Sequence, residues 1–530
     1  MLRIRQVKIN ILNNSYEDIR SAIASKLKIN NEEVIDFKIN KQSIDAREKN
    51  NILYVYELDV NLKNENKVLN KKINDVLITP NEEYKFEITG NKILNYRPVI
   101  IGSGPAGLYT AYIMAQNGFK PIIFERGEDI DNRIKTVNKF WEMGKLNIES
   151  NVQFGEGGAG TFSDGKLNTL VKDSKFRNKK VLEIFVENGA PDEILYVNKP
   201  HIGTDLLRDV VKNIRNKIIA FGGEFRFNSC LTNINIENNK LKSIEINNKE
   251  IIETEVLVLA IGHSSRDTFR MLNKIGLEIS GKPFASGVRV QHNQEMINVS
   301  QYGDDYPNEL PVASYKLTHK AKNGRGVYTF CMCPGGFVVN SSSEENRLAI
   351  NGMSNHLRDE KNANSAVIVT ISPEDFGENP LDGVIFQEKL EELAYNKGNG
   401  NIPVQLFKDF KDNKLSNEFK SINPIFKGNY KFTNLHEILP EYISEAVIEA
   451  LEAWNNKIKG FSNDDTILAA IESRTSSPLK IHRDEITGES NIQGVYPCGE
   501  GAGYAGGITS SAMDGLKVAE YIAKKYTNKI

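Results

Sequence analysis

Apolar and polar positions alternate from the first residues onward, and changes in the period of that alternation divide the chain. Met1-LRIRQVKINIL reads as a strand, Tyr16-EDIRSAIASKLKI carries apolar residues at helical spacing, and Val34-IDFKIN and Ile52-LYVYELDVNL return to strand periodicity. A βαββ order followed by Tyr84-KFEIT predicts a small ferredoxin-like α+β unit over residues 1–90, with Lys63-NENKVLNKKIN as a polar loop or linker. From Arg97 the pattern becomes that of an α/β domain. Val99-IIG is a short apolar strand, Pro105 to Asn117 a helix of small and apolar residues that Gly118 ends, and Pro121-IIFE the next strand. Phe284-ASGVRVQH and Val327-YTFCMCPGGFVVN alternate or run apolar as sheet strands do, and Ile443-SEAVIEALEAWNNKI is an amphipathic helix. The expected organisation is an accessory unit at 1–90, a nucleotide-binding α/β domain at 96–275, an inserted mixed α+β substrate domain at 276–480, and a return to the nucleotide domain at 481–530.

Length and charge narrow the function. A chain of 530 residues exceeds what one core supports and divides into two or three domains. A formal net charge of −2 gives no electrostatic reason to expect nucleic acid, so a small molecule is the expected partner. The N-terminus has scattered charges and no apolar block, and no later run approaches the ~20 apolar residues of a membrane span. Four cysteines form no disulfide framework. Together these features lead to the expectation of a cytoplasmic protein. No metal ligands are assigned, and the 1–90 unit is a packing module or a docking site for a protein partner.

The chemistry begins at Gly102-x-Gly104-x-x-Gly107. Gly102 permits the tight turn, Gly104 lets the backbone approach a pyrophosphate, and Gly107 lets the helix pack close to the sheet, while Pro105 and Ala106 open a helix whose free N–H groups face the phosphates. Glu125 closes the second strand, where a carboxylate accepts from a ribose hydroxyl. Arg126 and Arg133 follow as further candidates for the cofactor. This unit establishes a nucleotide site, but the same spacing serves nicotinamide and flavin alike.

The rest of the chain supplies the choice. Gly494-VYPCGEGAGYAGGITSSAMDGLKVAEYIAKKY reads as strand, glycine-rich turn and helix, and its strand and Glu500 resemble the second FAD signature of two-domain flavoproteins related to glutathione reductase. Thr254-EVLVLAI-Gly262 resembles the apolar strand ending in glycine of the same proteins, and Gly223-EFRFNSCLTNINIE the strand whose backbone, near Leu231, meets adenine. Asn151-VQFGEGGAGTFSDGKLNT, Gly262-HSSRDTF, Phe330-CMCPGG and Tyr496-PCGEGAGYAGGI extend the likeness over essentially the whole chain. They resemble the bacterial FAD-dependent dehydrogenases, or NAD(P)/FAD-dependent oxidoreductases, that carry an extra N-terminal α+β domain. The resemblance implies a flavoprotein oxidoreductase with a glutathione-reductase-type FAD domain, and contacts from Gly262, Gly499, Glu500, Gly506, Gly507 and Ile508. NAD(P)H is expected only as a transient donor.

Between the FAD elements, Gly155-EGGAGTFSDGK can follow a planar or anionic ligand closely. Gly158, Thr161, Ser163 and Lys166 are its candidates, Lys166 either as a cation beside the flavin or as a surface-loop residue. His263 is a proton-carrier candidate with Arg266 or Asp267 orienting it, or a structural residue at a strand end. Cys331 and Cys333 are either a thiol pair or buried structural residues, and Arg289 and Arg474 either bind an anionic substrate or form ordinary ion pairs. Hydride transfer through flavin N5 is the expected reaction; a flavin monooxygenase and a non-catalytic FAD-binding scaffold or sensor are the alternatives.

Overall fold

The computed structural model describes residues 1–528, so the last two residues of the 481–530 segment lie outside the described range. At the N-terminus, Leu2–Asn10, Tyr16–Leu27, Val34–Asp45, Leu53–Leu62, Glu65–Leu69 and Val76–Ile78 follow as strand, helix, strand, strand, helix and strand. The strands lie in the order second, third, first, fourth, all antiparallel, which is the predicted ferredoxin-like arrangement. Alternation in the first strand changes phase at Gln6, which has a φ of 55° at a register shift. This bulge keeps Leu2 and Ile4 on the buried face together with Val7 and Ile9.

Two boundaries differ from expectation. The polar 63–73 stretch contains the helix Glu65–Leu69, capped by Asn64, whose side chain accepts from the Lys67 N–H at 3.0 Å. Tyr84-KFEIT is not a strand of the small sheet. It lies along the C-terminal helix Ile508–Lys525, where the Thr89 and Gly90 N–H groups donate to the Ala523 carbonyl at 3.1 and 2.9 Å. Its alternating Tyr84, Phe86 and Ile88 pack against the nucleotide-domain core, which satisfies the same pattern with a helix face instead of a sheet. The hairpin joining the second and third strands is also used within the chain. Gln42 exchanges backbone hydrogen bonds with Tyr196 and Asn198 at 2.7 and 2.8 Å, and Ile52 is buried in the core of the large inserted sheet.

The nucleotide domain is a five-stranded parallel sheet ordered Val495–Pro497, Leu257–Leu259, Val99–Ile101, Ile122–Phe124 and Glu224–Arg226. Its three central strands are apolar at every position because both faces are covered. One face packs on the helices Pro105–Gln116, Thr204–Ala220 and Ile508–Lys525, the other on the antiparallel strands of residues 231–253 and the helix Arg266–Lys274. Because the strands run parallel in register, Gly102, Glu125, Gly262 and Gly499 all emerge along one edge, at the strands' carboxyl ends.

Between Leu257–Leu259 and Val495–Pro497 the chain builds a seven-stranded, mostly antiparallel sheet ordered Thr318–Lys320, Gly326–Cys333, Asn362–Ile371, Phe284–Asn293, Ile467–Glu472, Ile402–Leu406 and Tyr430–Phe432. Val288, Val290, Val367 and Val369 face a core covered by the helix Glu441–Trp454. The opposite face carries Arg289, Gln291 and Asn364 beside a small apolar patch of Ala285, Ala366 and Ile368. Residues 327–340 are not one strand. Gly335, with φ 43°, turns the chain after Pro334, and Gly336–Asn340 joins a separate three-stranded sheet.

Candidate functional site

Three glycine-bearing segments distant in sequence close on one another. A Cβ added to Gly158 would stand 2.9 Å from the Gly104 Cα, one added to Gly160 2.9 Å from Ile508 Cγ1, and one added to Gly499 2.6 Å from the Ala106 Cβ. Gly107 is required for packing alone, since a Cβ there would overlap the Gly102 carbonyl oxygen. Other predicted glycines differ from it in kind. A Cβ on Gly262, Gly506 or Gly507 would meet nothing within 4 Å, and one on Gly104 only the Gly158 Cα at 3.7 Å. Gly104 caps the helix Pro105–Gln116 and Gly507 the helix Ile508–Lys525, so open main chain stands at the start of both helices, which fits a dinucleotide laid along main chain.

Around these glycines, the charged residues mostly organise the loops. Glu125 is 5% exposed, and its carboxylate accepts from the Ser103 N–H and Oγ (both 2.9 Å), the Gly127 N–H (2.9 Å) and the Gly155 N–H (3.0 Å). In place of a free ribose acceptor, the structure shows a carboxylate that ties the first glycine loop to the second. Arg133 is likewise not free for phosphate. It is fully buried, and its guanidinium donates to the carbonyls of Asn151, Val152, Gly155, Glu156 and Gly158 at 2.6–3.2 Å. Burial pulls its pKa down to about 10. Arg126 makes a two-pronged pair with Asp267 at 3.0 and 2.9 Å and bonds Glu149 at 3.0 Å.

Thr161 and Ser163 serve the glycine loop internally. The Thr161 carbonyl accepts from the Thr204 hydroxyl at 2.6 Å, and Ser163 Oγ donates to the Gly160 carbonyl at 2.7 Å. Leu231 starts its strand buried in the core that also holds Phe124 and Leu257.

His263 and Glu500, predicted from separate motifs, come together with Nδ1 and Oε1 3.1 Å apart. The expected orienting partners are elsewhere. Asp267 belongs to Arg126, while Arg266 is buried against Glu391 at 2.8 and 2.7 Å and Glu344 at 2.6 Å. His263 Nε2 is buried and, among the described residues, has no hydrogen-bond partner. Arg474 joins the same buried cluster through Glu391 at 2.9 and 2.7 Å, and Arg289 bonds Glu472 at 2.8 Å, Asn364 at 2.9 Å and the Cys331 carbonyl at 3.1 Å. Both arginines are thus ion-paired.

Lys166 is one-third exposed; its Nζ donates to the Met332 carbonyl and lies 3.0 Å from Asp164. The strand it reaches is bulged, with Cys331 at φ 42° and a register shift between Phe330 and Cys333. The bulge gives the thiols different surroundings: Cys331 is exposed, Cys333 is buried, and both are free. Asp164 also holds Arg358 through two bonds of 2.8 and 2.5 Å. Sequence reading missed Ser103, Asp164, His201, His356 and Arg358. Ser103 sits inside the glycine motif, where a hydroxyl beside a predicted acidic partner was the available signal; the others are joined only by tertiary contacts.

Comparison with known proteins agrees with this architecture. A family model described as "FAD-dependent protein, C-terminal domain-like" matches residues 283–475, an NAD(P)-binding Rossmann-like domain matches 100–150, and a domain of unknown function matches 1–61. An uncharacterized protein of Clostridium beijerinckii is 49% identical over 531 residues, covering 98% of this chain and 99% of that protein. Solved structures that it resembles include glycine oxidase from Geobacillus kaustophilus (11% identity, 81% of this chain and 95% of that one, TM-score 0.36). Another is L-proline dehydrogenase from P. horikoshii (13% identity, 81% and 94%, TM-score 0.33). Likeness at that level brings no substrate to this chain.

Proposed function

The chain belongs to the family of FAD-dependent oxidoreductases that share this C-terminal domain, and from that premise we propose that it is an enzyme acting on a small molecule by hydride transfer. The observation that carries the reading is the open main chain at Gly104, Gly262, Gly506 and Gly507, where an added Cβ would meet no neighbour closer than 3.7 Å. When bound, FAD supplies hydride transfer through its N5.

The chain's own residues bind and orient. The helix beginning at Pro105 offers unpaired N–H groups and its positive dipole end to a pyrophosphate. Glu125 and Arg133 act one step removed, holding the two glycine loops in register so that their main chain can approach the ligand. Glu500 orients His263 through Nδ1 and leaves Nε2 to accept or return a proton. Lys166 brings a cation to the junction between the glycine loop and the inserted sheet, where negative charge developing during transfer is stabilised.

The test begins with purified protein reconstituted with FAD and freed of excess, its flavin quantified after release. An anaerobic titration with NADPH and NADH then follows the oxidised flavin bands. Stoichiometric flavin with bleaching by a nicotinamide supports a reductase half-reaction. Retained flavin that bleaches only with an organic substrate supports a dehydrogenase. Protein that retains no FAD overturns the proposal, and NAD(P)H oxidation tightly coupled to substrate-dependent oxygen consumption replaces it with a monooxygenase.

A further inference from the structure

Beyond Lys166, the junction between the glycine loop and the large sheet gathers more cationic groups than its carboxylates neutralise. Lys166 and Arg358 both pair with Asp164, which is 3% exposed. Lys199 reaches across from the nucleotide domain to Ser314 Oγ at 3.1 Å. Among the described residues, Asp164 is the one carboxylate in ion-pair contact with Lys166 or Arg358, and Lys199 has none. Desolvation of its ammonium, followed by the nearby charges of Arg358 and Lys166, pushes the Lys199 pKa down. Asp205 makes no ion pair with the three cations among the described residues; its carboxylate accepts from the His356 N–H at 2.7 Å. Three cations and one internal carboxylate leave two positive charges unmatched, a repulsive arrangement that a bound anion relieves.

The adjoining wall is formed by His201 and His356, whose rings stack at 5.3 Å. His201 Nε2 meets the His356 carbonyl and His356 Nδ1 the Ile202 carbonyl, both at 2.9 Å. A carbonyl can only accept, so both of those nitrogens carry hydrogen and the opposite nitrogens are acceptors in the neutral rings. Burial, followed by Arg358, lowers the His201 pKa to about 4, so His201 adds no charge to this wall at neutral pH, and with the free ring nitrogens acting as acceptors an anion is left to the cations.

We infer that this cationic cluster forms a pocket that recognises the substrate through a doubly charged oxyanion, a dicarboxylate or a phosphate monoester, gripped by Lys166, Lys199 and Arg358. The inference rests on the FAD-dependent reading above for its link to catalysis. Two positive charges match a dianion, and the Arg358 fork, now on Asp164, has the geometry that suits carboxylate and phosphate alike.

The experiment is isothermal calorimetry on the FAD-loaded protein with malonate and, separately, inorganic phosphate, at ionic strength held constant with chloride. The flavin absorption spectrum is recorded in parallel. Saturable binding of malonate alone identifies a dicarboxylate end, and of phosphate alone a phosphate end; either supports the inference. Lys199→Gln and Arg358→Gln are expected to weaken binding roughly tenfold or more. Lys199 has no ion-pair partner among the described residues, so its variant tests the pocket even where the loss of Arg358 from Asp164 impairs folding. Absence of saturable heat from both anions, or a Lys199→Gln protein that binds as tightly as the parent, overturns the inference. Calorimetry reads the pocket with or without flavin. Anion binding to a protein that retains no FAD therefore overturns the enzymatic proposal and leaves the anion pocket standing.

Discussion

His263 and Glu500 meet with Nδ1 and Oε1 3.1 Å apart, at the edge where two neighbouring parallel strands end. The contact leaves His263 Nε2 buried and without a partner among the described residues. An unsatisfied buried nitrogen costs about 1–3 kcal/mol, a cost that persists in a fold when a ligand removes it.

His263→Phe therefore separates stability from binding. With the orphaned nitrogen gone, the thermal midpoint of the FAD-free protein should be unchanged or higher. FAD affinity should fall roughly tenfold to a hundredfold if Nε2 bonds the cofactor. Fluorescence titration of the FAD-free protein measures the affinity. A His263→Phe variant that binds FAD as tightly as the parent would assign Nε2 to substrate or solvent.

Two glycines of one motif should respond oppositely to a single methyl group. At Gly104 the added Cβ has only the Gly158 Cα at 3.7 Å as a neighbour, so Gly104→Ala should fold with its thermal midpoint nearly unchanged and lose FAD. At Gly107 the Cβ would overlap the Gly102 carbonyl, so Gly107→Ala should be poorly soluble or strongly destabilised before any cofactor is added. Circular-dichroism melts of both FAD-free variants decide the matter; equal destabilisation would remove the distinction between open and packing glycines.

The same contrast shows what the sequence made legible. Periodicity located the strands Val99–Ile101 and Ile122–Phe124 and the helix between them because each is fixed by local pattern and a glycine turn. It misplaced residues 84–89, since an alternating apolar run looks the same whether its partner is a sheet or the side of a helix. Glycine spacing singled out Gly102, Gly104 and Gly107, and the resemblance to FAD-binding proteins supplied Gly262, Gly506 and Gly507. The roles of Glu125 and Arg133 were not legible, because a charge near a phosphate motif reads as a ligand contact until its partners are seen to be loop amides and carbonyls. Arg358 carried no local signal at all: its partner Asp164 is joined to it only by the fold.

Arg133 holds five backbone carbonyls from one fully buried guanidinium. Lysine has one nitrogen and cannot span both sides of that loop, so Arg133→Lys should behave almost as badly as Arg133→Met. Either change strands several buried carbonyls and should cost about 3–5 kcal/mol, with loss of FAD retention as the 151–158 loop opens. Urea unfolding of the FAD-free variants checks the stability. A lysine variant within about 1 kcal/mol of the parent, the net worth of one such bond, would show that fewer of them matter than the geometry counts.

Glu156 gives the fold a pH dependence of predictable sign. It is fully buried, with Oε2 accepting from the Ile130 N–H at 2.7 Å and from Arg215 at 3.1 Å, while Oε1 has no partner among the described residues. Burial raises its pKa from 4.5 to about 7. Below 4.5 both the folded and unfolded states hold the proton; between 4.5 and about 7 only the folded state does; above 7 neither does. Stability contributed by this group is therefore present at low pH, falls as pH rises through that window, and levels off about 3 kcal/mol lower. Glu156→Gln keeps an acceptor for Ile130 and cannot ionise, so its stability relative to the parent should rise from near zero at about pH 5 toward about 2–3 kcal/mol at about pH 8. Paired urea titrations across that range measure the difference directly. A gap that stays constant with pH would mean that Arg215 holds the carboxylate charged throughout, and that the ion pair outweighs burial at this position.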